Sequence, residues 1–344
     1  MPADAIEVKA LRPEDTARWD DFVMHCPQAT FFHRAGWQQV LERAFGHTTW
    51  FLYAEVDNRI AAVLPLAQIR SILFGNKLCS LPFCVYGGIA GEGPAAQALD
   101  LAAQQLAAQL RVDHLEYRNI LPGHREWLAP PLYFTFRKEL HPQVEANLLA
   151  IPRKQRAMIR KGIAAGLRSE IDSEPRRFYG MYAASVHRLG TPVPPLRYFA
   201  ILRDVFGDDC EILSICHHRD TVSSVLLFYF RDEVLPYYAG GGEAARALAA
   251  NDFMYWEVLR RACERGVARF DFGRSKQGTG AFDFKKNWGF TPQALHYEYQ
   301  LHRAEKLVRH TPASPRYALF IRAWRRLPLR AANLLGPLIA PSLG

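Results

Sequence analysis

No two of the six cysteines (Cys26, Cys79, Cys84, Cys210, Cys216, Cys263) stand in a C-x-x-C spacing, and most have apolar neighbours. Metal sites and disulfide staples therefore lack a signature, and the pattern reads as reduced core thiols of a cytosolic protein. The N-terminal stretch MPADAIEVKALRPED has no apolar core of the kind a signal peptide carries. No uninterrupted apolar run reaches the ~20 residues of a membrane span. A P-loop, a G-x-S-x-G elbow and a complete Rossmann fingerprint are also missing, which removes support for hydride transfer and for Ser or Cys nucleophiles.

What is present is ordinary in bulk. At 344 residues the chain can bury a large core, and its length favours two domains. The apolar fraction is 49% and the charged fraction 22%, as in typical globular proteins. The net charge of +9 suits an anionic partner (nucleic acid, a phosphorylated substrate or anionic lipid), and it equally suits simple colloidal solubility.

The chain repeats itself. Phe45-Gly46 opens FGHTTWFLYAEVDNRIAAVLPLAQIR, and Phe206-Gly207, 161 residues on, opens FGDDCEILSICHHRDTVSSVLLFYFRDEV. Each predicts an apolar strand, a polar turn (Asp57-Asn58-Arg59; His218-Arg219-Asp220) and a second apolar strand. A helix over 94–110 leading to a strand at 113–117 is matched by a helix over 251–265 and a strand at 269–272, now 155 residues apart. Asn251 fits an N-cap and Gly266 a C-cap. Each block is expected to close with its own strand, 132–137 and 294–301. Consecutive strands with few helices argue for mixed sheets. The expected fold class is α/β with mixed (α+β) sheets. The expected division is 1–145, 146–305 and a tail, 306–344.

The copies differ after corresponding strands. The first has RNILPGHREWLAPP; the second has GRSKQGTGAFDFKKNWGF within the stretch Phe270 to Phe290. The second reads as a short strand, a Gly/Ser-rich loop, an aromatic segment with two lysines and a Trp-Gly turn. Glycines let backbone N–H groups approach a ligand, and the lysines can hold negative charge. An addition to one copy favours function over scaffold.

These pieces carry a resemblance. Tyr237-Tyr238-Ala239-Gly240-Gly241-Gly242, Asp271-Phe272-Gly273-Arg274-Ser275, Gly278-Thr279-Gly280 and Phe284-Lys285-Lys286-Asn287-Trp288-Gly289-Phe290 are joined by Phe31-Phe32-His33, Gly36-Trp37 and Ile151-Pro152-Arg153-Lys154-Gln155-Arg156. Together, over residues 5 to 302, the chain resembles the FemAB/FemX group, a tandem duplication of GNAT-like acyltransferase units. It looks closer still to the FemAB-like proteins associated with exosortase/PEP-CTERM exopolysaccharide loci. The resemblance implies an acyltransferase that joins an acyl or aminoacyl group to an amine. The implied acceptor is a nucleotide- or lipid-linked glycan precursor of peptidoglycan or exopolysaccharide type. It implies no tightly bound cofactor, with acyl-CoA or aminoacyl-tRNA as co-substrate. The usual GNAT pyrophosphate loop is matched only loosely by Gly240 to Arg246. The absence of a long coiled-coil insertion favours the FemX arrangement.

Amide formation from an activated ester needs a deprotonated amine, a stabilised oxyanion, a leaving group and two reactants held together. The Phe-Lys pair of the Fem motif maps onto Phe284-Lys285, and the resemblance implies that Lys285 stabilises the transition state; a lysine stem packed on Trp288 is the plainer reading. Asp271 can orient Lys285, take the amine's proton or brace the turn. Tyr238, by strand register, is the third catalytic candidate; on an alternating strand only one of Tyr237 and Tyr238 faces the cleft. Arg274 offers a planar fork for phosphate or carboxylate, or a surface salt bridge. Ser275, Thr279 and Lys286 complete the loop's binding candidates. His33 and Trp37 are binding candidates from the N-terminal motif, with His33 and His187 also possible bases or structural histidines. On a helix starting at Pro152, Arg153, Arg156 and Arg160 share one face suited to a diphosphate or tRNA backbone, or to solvent.

From His310 a Pro/Ser linker leads into a basic amphipathic segment that can touch a membrane surface through 313–340 or dock on the protein body. The expected location is cytoplasmic, peripheral at the inner membrane face. The alternative function is a non-catalytic module that binds a glycan, nucleotide-sugar or tRNA on the same fold.

Overall fold

The computed structural model describes residues 6–71, 75–307 and 315–344. The linker expected from His310, and the first two residues of the 313–340 tail, lie outside them. The first half runs β1 (Glu7–Ala10), α1 (Thr16–His25), α2 (Gly36–Phe45), β2 (Thr48–Val56), β3 (Arg59–Ser71), β4 (Gly75–Ser80), β5 (Ala90–Gly91), α3 (Gly93–Gln109) and β6 (His114–Asn119). The second runs β7 (Tyr133–Thr135), β8 (Arg137–Glu139), α4 (Val144–Ala150), α5 (Arg153–Ala164), β9 (Arg168–Ile171), α6 (Arg176–Leu189), α7 (Leu196–Phe206), β10 (Cys210–His217), β11 (Asp220–Phe230), β12 (Glu233–Gly241), α8 (Ala250–Glu264), β13 (Arg269–Asp271), β14 (Ser275–Lys276), α9 (Gly280–Asn287), β15 (Gln293–Ala294) and β16 (His296–Leu301). Two helices follow, α10 (Pro315–Arg326) and α11 (Leu329–Ile339).

The chain forms two compact units, Met1–Leu132 with Ala294–Val308 and Pro341–Gly344, and Tyr133–Gln293 with Arg309–Ala340. The sheet of the first has the order β1-β2-β3-β4-β6-β16, with β5 beside β3; that of the second has β8-β13-β12-β11-β10-β9. Both sheets are mixed, and they share a plan. Three antiparallel strands are followed by a helix and a strand parallel to the third, so that β4 lies beside β6 and β12 beside β13. An antiparallel strand then closes the edge.

The duplication extends to fine detail. The β2–β3 ladder slips between Ala54 and Glu55, and the β10–β11 ladder slips between Ile215 and Cys216, the same 161 residues on. Each slip is a β-bulge that bends its hairpin. The turns use positive φ at Asp57, Asn58 and His218, which polar residues of this kind tolerate best.

The closing strands depart from expectation. The strand after the first copy's helix–strand pair does not close its own block: β8 pairs with β13 of the second unit, and β16 pairs with β6 of the first. The units are therefore interleaved in sequence and not divided cleanly at residue 145. Pairing partners are set by which sheet edge is open and in what register, information that a short strand's own residues do not carry.

Local chemistry accounts for the helices beside the sheets. Ala95, Leu99, Ala103 and Ala107 recur every four residues and give α3 a flat inward face against β2 and β3. Helix α8 is apolar on more than one side because it packs on the sheet, on α5 and on α4. It ends in a Schellman turn: Gly266, at φ +75°, donates to Cys263 O (2.9 Å) and Val267 donates to Ala262 O (3.0 Å). Asn251 is not its N-cap. That place belongs to Ala249, and Asn251 lies inside the helix. All six cysteines are buried, and none is in a disulfide.

The tail docks on the second unit. Trp324 of α10 is buried, its carbonyl 3.2 Å from His187 Nε2, and Arg325 Nη2 donates to Leu189 O (3.2 Å). His187 is thereby a packing residue between α6 and α10. Gly336 of α11 lies against Val193, where a Cβ would come within 2.9 Å of the backbone carbonyl. Among the described residues no helix is long and apolar enough to cross a membrane.

Candidate active site

The loop after β13 is organised by its glycines and one threonine. Gly273 and Gly278 take φ of +67° and +77°, the left-handed region that favours glycine. Between them β14 pairs back onto β7, Ser275 with Phe134 and Lys276 with Tyr133. Thr279 then caps α9: its Oγ1 accepts from Phe282 N (3.4 Å) and donates to Lys276 O (2.7 Å). The aromatic segment read from sequence is thus a helix, and Phe282 and Lys285, three residues apart, point inward together.

Lys285 is 8% exposed. Its Nζ donates to Gly273 O (2.9 Å) and Arg274 O (3.1 Å) and lies 5.5 Å from the Phe136 ring centroid and 6.0 Å from that of Phe272. Its polar partners are carbonyls, not a carboxylate. Burial is the main force on its charge and pulls the pKa from 10.5 down to about 7, with the positive charge of Arg274 adding to the fall and Asp271 opposing it.

A buried polar network lies behind the loop. Asp271 is fully buried; its Oδ1 accepts from Gly273 N (2.6 Å) and Thr135 Oγ1 (3.2 Å), and its Oδ2 is 3.5 Å from Arg137 Nε. A carboxylate bonded to the N–H two residues on is a turn brace. Arg137 also pairs with Glu233 (Nε to Oε2, 3.1 Å), and Arg269 Nη1 stands 3.7 Å from the same oxygen. Burial and the neighbouring Asp271 charge push the Glu233 carboxyl well above the usual range, against the pull of Arg137 and Arg269. Sequence reasoning missed Thr135, Arg137 and Glu233. The alternation of Thr135 and Arg137 with Phe134 and Phe136 was the available signal.

The other candidates separate. The Arg274 guanidinium stacks over the Tyr133 ring (4.6 Å), placing it beside the loop. Ser275 is buried, and its Oγ has no hydrogen-bond partner. Thr279 is used as the helix cap. Lys286 is exposed, its Nζ 5.9 Å from the Phe282 ring centroid. Arg153 and Arg160 are exposed on the side of α5 away from its buried Gln155, Ile159 and Gly162, while Arg156 is half-buried with its Nε out of solvent. The start of α5 meets the end of the loop, since a Cβ on Gly289 would lie 3.2 Å from Pro152 Cδ. The basic helix and the Lys285 loop are therefore neighbours.

Tyr238 is held elsewhere. Pairing jumps from Leu226–Tyr238 to Leu227–Pro236, so Tyr237 is a bulge and the expected alternation fails. The Tyr238 hydroxyl is 2.9 Å from that of Tyr198, and its ring packs on Tyr182 and Phe199, all from α6 and α7. It is not among the groups around Lys285. His33 and Trp37 are core residues of the first unit. His33 is 1% exposed, with Nδ1 accepting from Thr30 N (3.0 Å) and Nε2 3.3 Å from Gly88 O. The buried Trp37 indole donates to Phe31 O (3.2 Å). Both polar groups are satisfied inside the fold of the first unit.

The second unit also carries a cleft. Strand β12 pairs with β13 only at Glu233 and Val234, then runs on alone on that side to Gly241. Beyond its end a cavity of about 360 Å³ is lined by Ser185, Arg188, Gly241, Glu243, Arg246 and Asn251. Arg188 donates to the Gly241 carbonyl. The glycines here serve packing: a Cβ on Gly240 would sit 2.5 Å from Met181 O.

Residues 153–286 match the family model described as Acetyltransferase (GNAT) domain. No curated protein matches the chain in sequence. Among solved structures, FemX superposes with a TM-score of 0.68 at 13% identity, covering 92% of this chain and all of that one. The C-terminal domain (DUF2156) of a protein described as a lysylphosphatidylglycerol synthetase, from Agrobacterium fabrum, gives 0.58 at 12% identity, with 83% and 91% covered. A tandem GNAT protein from the clavulanic acid biosynthesis pathway gives 0.54 at 12%, with 88% and 100% covered. The fold is that of a tandem GNAT-like protein with mixed sheets. At these identities the likeness concerns architecture.

Proposed function

We propose that this protein is a FemAB-like N-acyltransferase, moving an acyl or aminoacyl group onto an amino group of a cell-envelope precursor of peptidoglycan or exopolysaccharide type. The observation that carries the reading is Lys285, a buried amine fixed by two loop carbonyls in the copy that alone has the extended loop and charged below about pH 7. A positive charge held in apolar surroundings needs little rearrangement to meet a developing oxyanion, and such groups contribute on the order of 3 kcal/mol. Arg274 and the adjoining Arg153–Arg160 face would hold the acceptor's anionic part. The cavity beside Arg188 and Arg246 has the charge for the phosphates of an acyl-CoA or aminoacyl-tRNA donor. The exosortase/PEP-CTERM association rests on the motif resemblance alone.

The test is to incubate the protein with labelled acyl-CoA and labelled aminoacyl-tRNA pools and follow which label reaches a precursor amine. Transfer from one pool, lost in Lys285→Ala, is the expected result. Absence of transfer from both pools overturns the reading. Arg153 and Arg160, exposed on α5 beside the half-buried Arg156, favour one second reading, a module that binds tRNA or a nucleotide-sugar without chemistry. It requires salt-dependent tRNA or nucleotide-sugar binding that is lost when Arg153, Arg156 and Arg160 are neutralised, with no acyl transfer.

A further inference from the structure

Docking on the second unit uses only one side of each tail helix. In α11, Ala332, Gly336 and the following Ala340 recur every fourth residue and are buried. The opposite side carries Arg330, Leu334 and Leu338 at the same spacing, and the two leucines are 75% and 76% exposed. Helix α10 is built alike: Trp324 points inward, while Leu319, Arg322 and Arg326 lie on the outer side, with Leu319 63% exposed. From Lys306 to Gly344 the sequence holds seven Lys or Arg residues and no Asp or Glu.

Large apolar side chains left in water on a helix that already has a docked face call for a second partner. The charge decides which kind. A second copy of this face would set cations against cations. A surface dense in negative charge complements it. At 12 and 11 residues the helices are about half the ~20 that a span needs, so they would lie along a surface and not cross it.

We propose that the outer face of α10 and α11 docks the protein on an anionic lipid bilayer, with Leu334 and Leu338 entering the acyl boundary and Arg322, Arg326 and Arg330 meeting headgroup phosphates. The inference stands apart from the acyl-transfer reading, because it uses no residue of the Lys285 loop.

The full chain is sedimented with vesicles of phosphatidylcholine alone and with vesicles that also contain phosphatidylglycerol. It pellets with the anionic vesicles, less so as salt rises, and stays in solution with the neutral ones. The variant Leu334→Ser/Leu338→Ser keeps its melting temperature, since both side chains are exposed, and its partition coefficient drops roughly tenfold or more. Equal pelleting with both vesicle types, no pelleting, or a double variant that binds like the parent overturns the proposal. So does a lipid-free dimer that the double variant converts to monomer, because the leucines would then be covered by a second copy.

Discussion

The ammonium nitrogen of Lys285 lies 2.9 Å from the carbonyl oxygen of Gly273, so the glycine turn that ends β13 is also the seat of the buried cation. The same turn is held from the other side by Asp271, whose carboxylate accepts from Gly273 N. One residue's two backbone groups thus tie together the strand end, the loop and α9. A loop fixed in this way presents its charge with little reorganisation, which is what stabilising a transition-state oxyanion requires.

Function and stability should pull in opposite directions at Lys285. Replacing it by Met keeps the volume and removes the charge. Turnover of the labelled donor is expected to fall about 10²- to 10³-fold. Stability is expected to rise, because burial has lowered the folded-state pKa to about 7 from 10.5. Below pH 7 both folded and unfolded chains carry the proton, and the cost of burying it, on the order of 5 kcal/mol, is fully present. Between pH 7 and 10.5 the folded chain has shed the proton and the unfolded chain keeps it, so the cost shrinks as pH rises. Urea melts of parent and Lys285→Met should therefore differ most at pH 6 and converge toward pH 10. A difference that grows with pH would contradict the assignment.

Asp271 is expected to act as a brace and not as the base. Asp271→Asn keeps an acceptor for Gly273 N and Thr135 Oγ1 and should retain turnover within about tenfold, short of the 10²- to 10⁴-fold that loss of a general base costs. Asp271→Ala strands both donors in a buried site and should cost about 2–4 kcal/mol. Steady-state rates and urea melts of the pair separate the roles. An Asn variant that is stable and inactive would make Asp271 a participant in the chemistry.

How much of this was legible in the sequence follows from what each feature depends on. The duplicated hairpins were readable because strand, turn and strand are local and recur at a fixed offset. The exchange of β8 and β16 was not, since each is short and its partner lies more than a hundred residues away. Helix α9 was obscured by its aromatic content and flanking glycines, yet Thr279 supplies its cap. The Phe284-Lys285 motif singles out Lys285 as a candidate. Its network is not legible in the same way, because Glu233 sits in a polar turn, Arg231-Asp232-Glu233, and looks like a surface residue. His33 and Trp37 show the converse. In sequence, clustered aromatics with a histidine resemble a binding site; in the fold both are buried with their polar groups hydrogen-bonded.

In the first unit, His124 should act as a pH-dependent staple. Its Nδ1 is 3.0 Å from Glu298 and its Nε2 3.1 Å from Asp100, and its ring stacks on Trp127 at 3.8 Å. Burial works against its charge, but the bonds to Asp100 and Glu298 outweigh it and raise the pKa to about 9 from 6.5. The resulting stability is fully present below pH 6.5 and is lost as pH rises through about 9. His124→Gln should cost on the order of 2 kcal/mol at pH 6, allowing for solvent screening at this half-buried site, and little at pH 10. Thermal melts at the two pH values test it. An equal loss at both would reduce His124 to a packing residue.

Gly240 and Gly280 should respond oppositely to alanine, although both belong to glycine-rich motifs. At Gly240 an added Cβ would lie 2.5 Å from Met181 O and 2.5 Å from Tyr182 Cα. These are backbone atoms of α6, so no side chain can swing aside. The helix must move off β12 instead, disturbing Tyr182 and the Tyr198–Tyr238 pair beside it. Gly240→Ala is expected to destabilise by about 2–4 kcal/mol, the range of a strained, overpacked core. At Gly280 nothing lies within 4 Å of the same added atom, and φ is not positive. There alanine only improves helix propensity at the start of α9, so Gly280→Ala should be neutral or gain up to about 1 kcal/mol. Chemical denaturation of the two variants compares packing with ligand approach. If Gly240→Ala were harmless to stability and abolished turnover, the glycine would be reserving space for a substrate; the close backbone contact argues that it reserves space for α6.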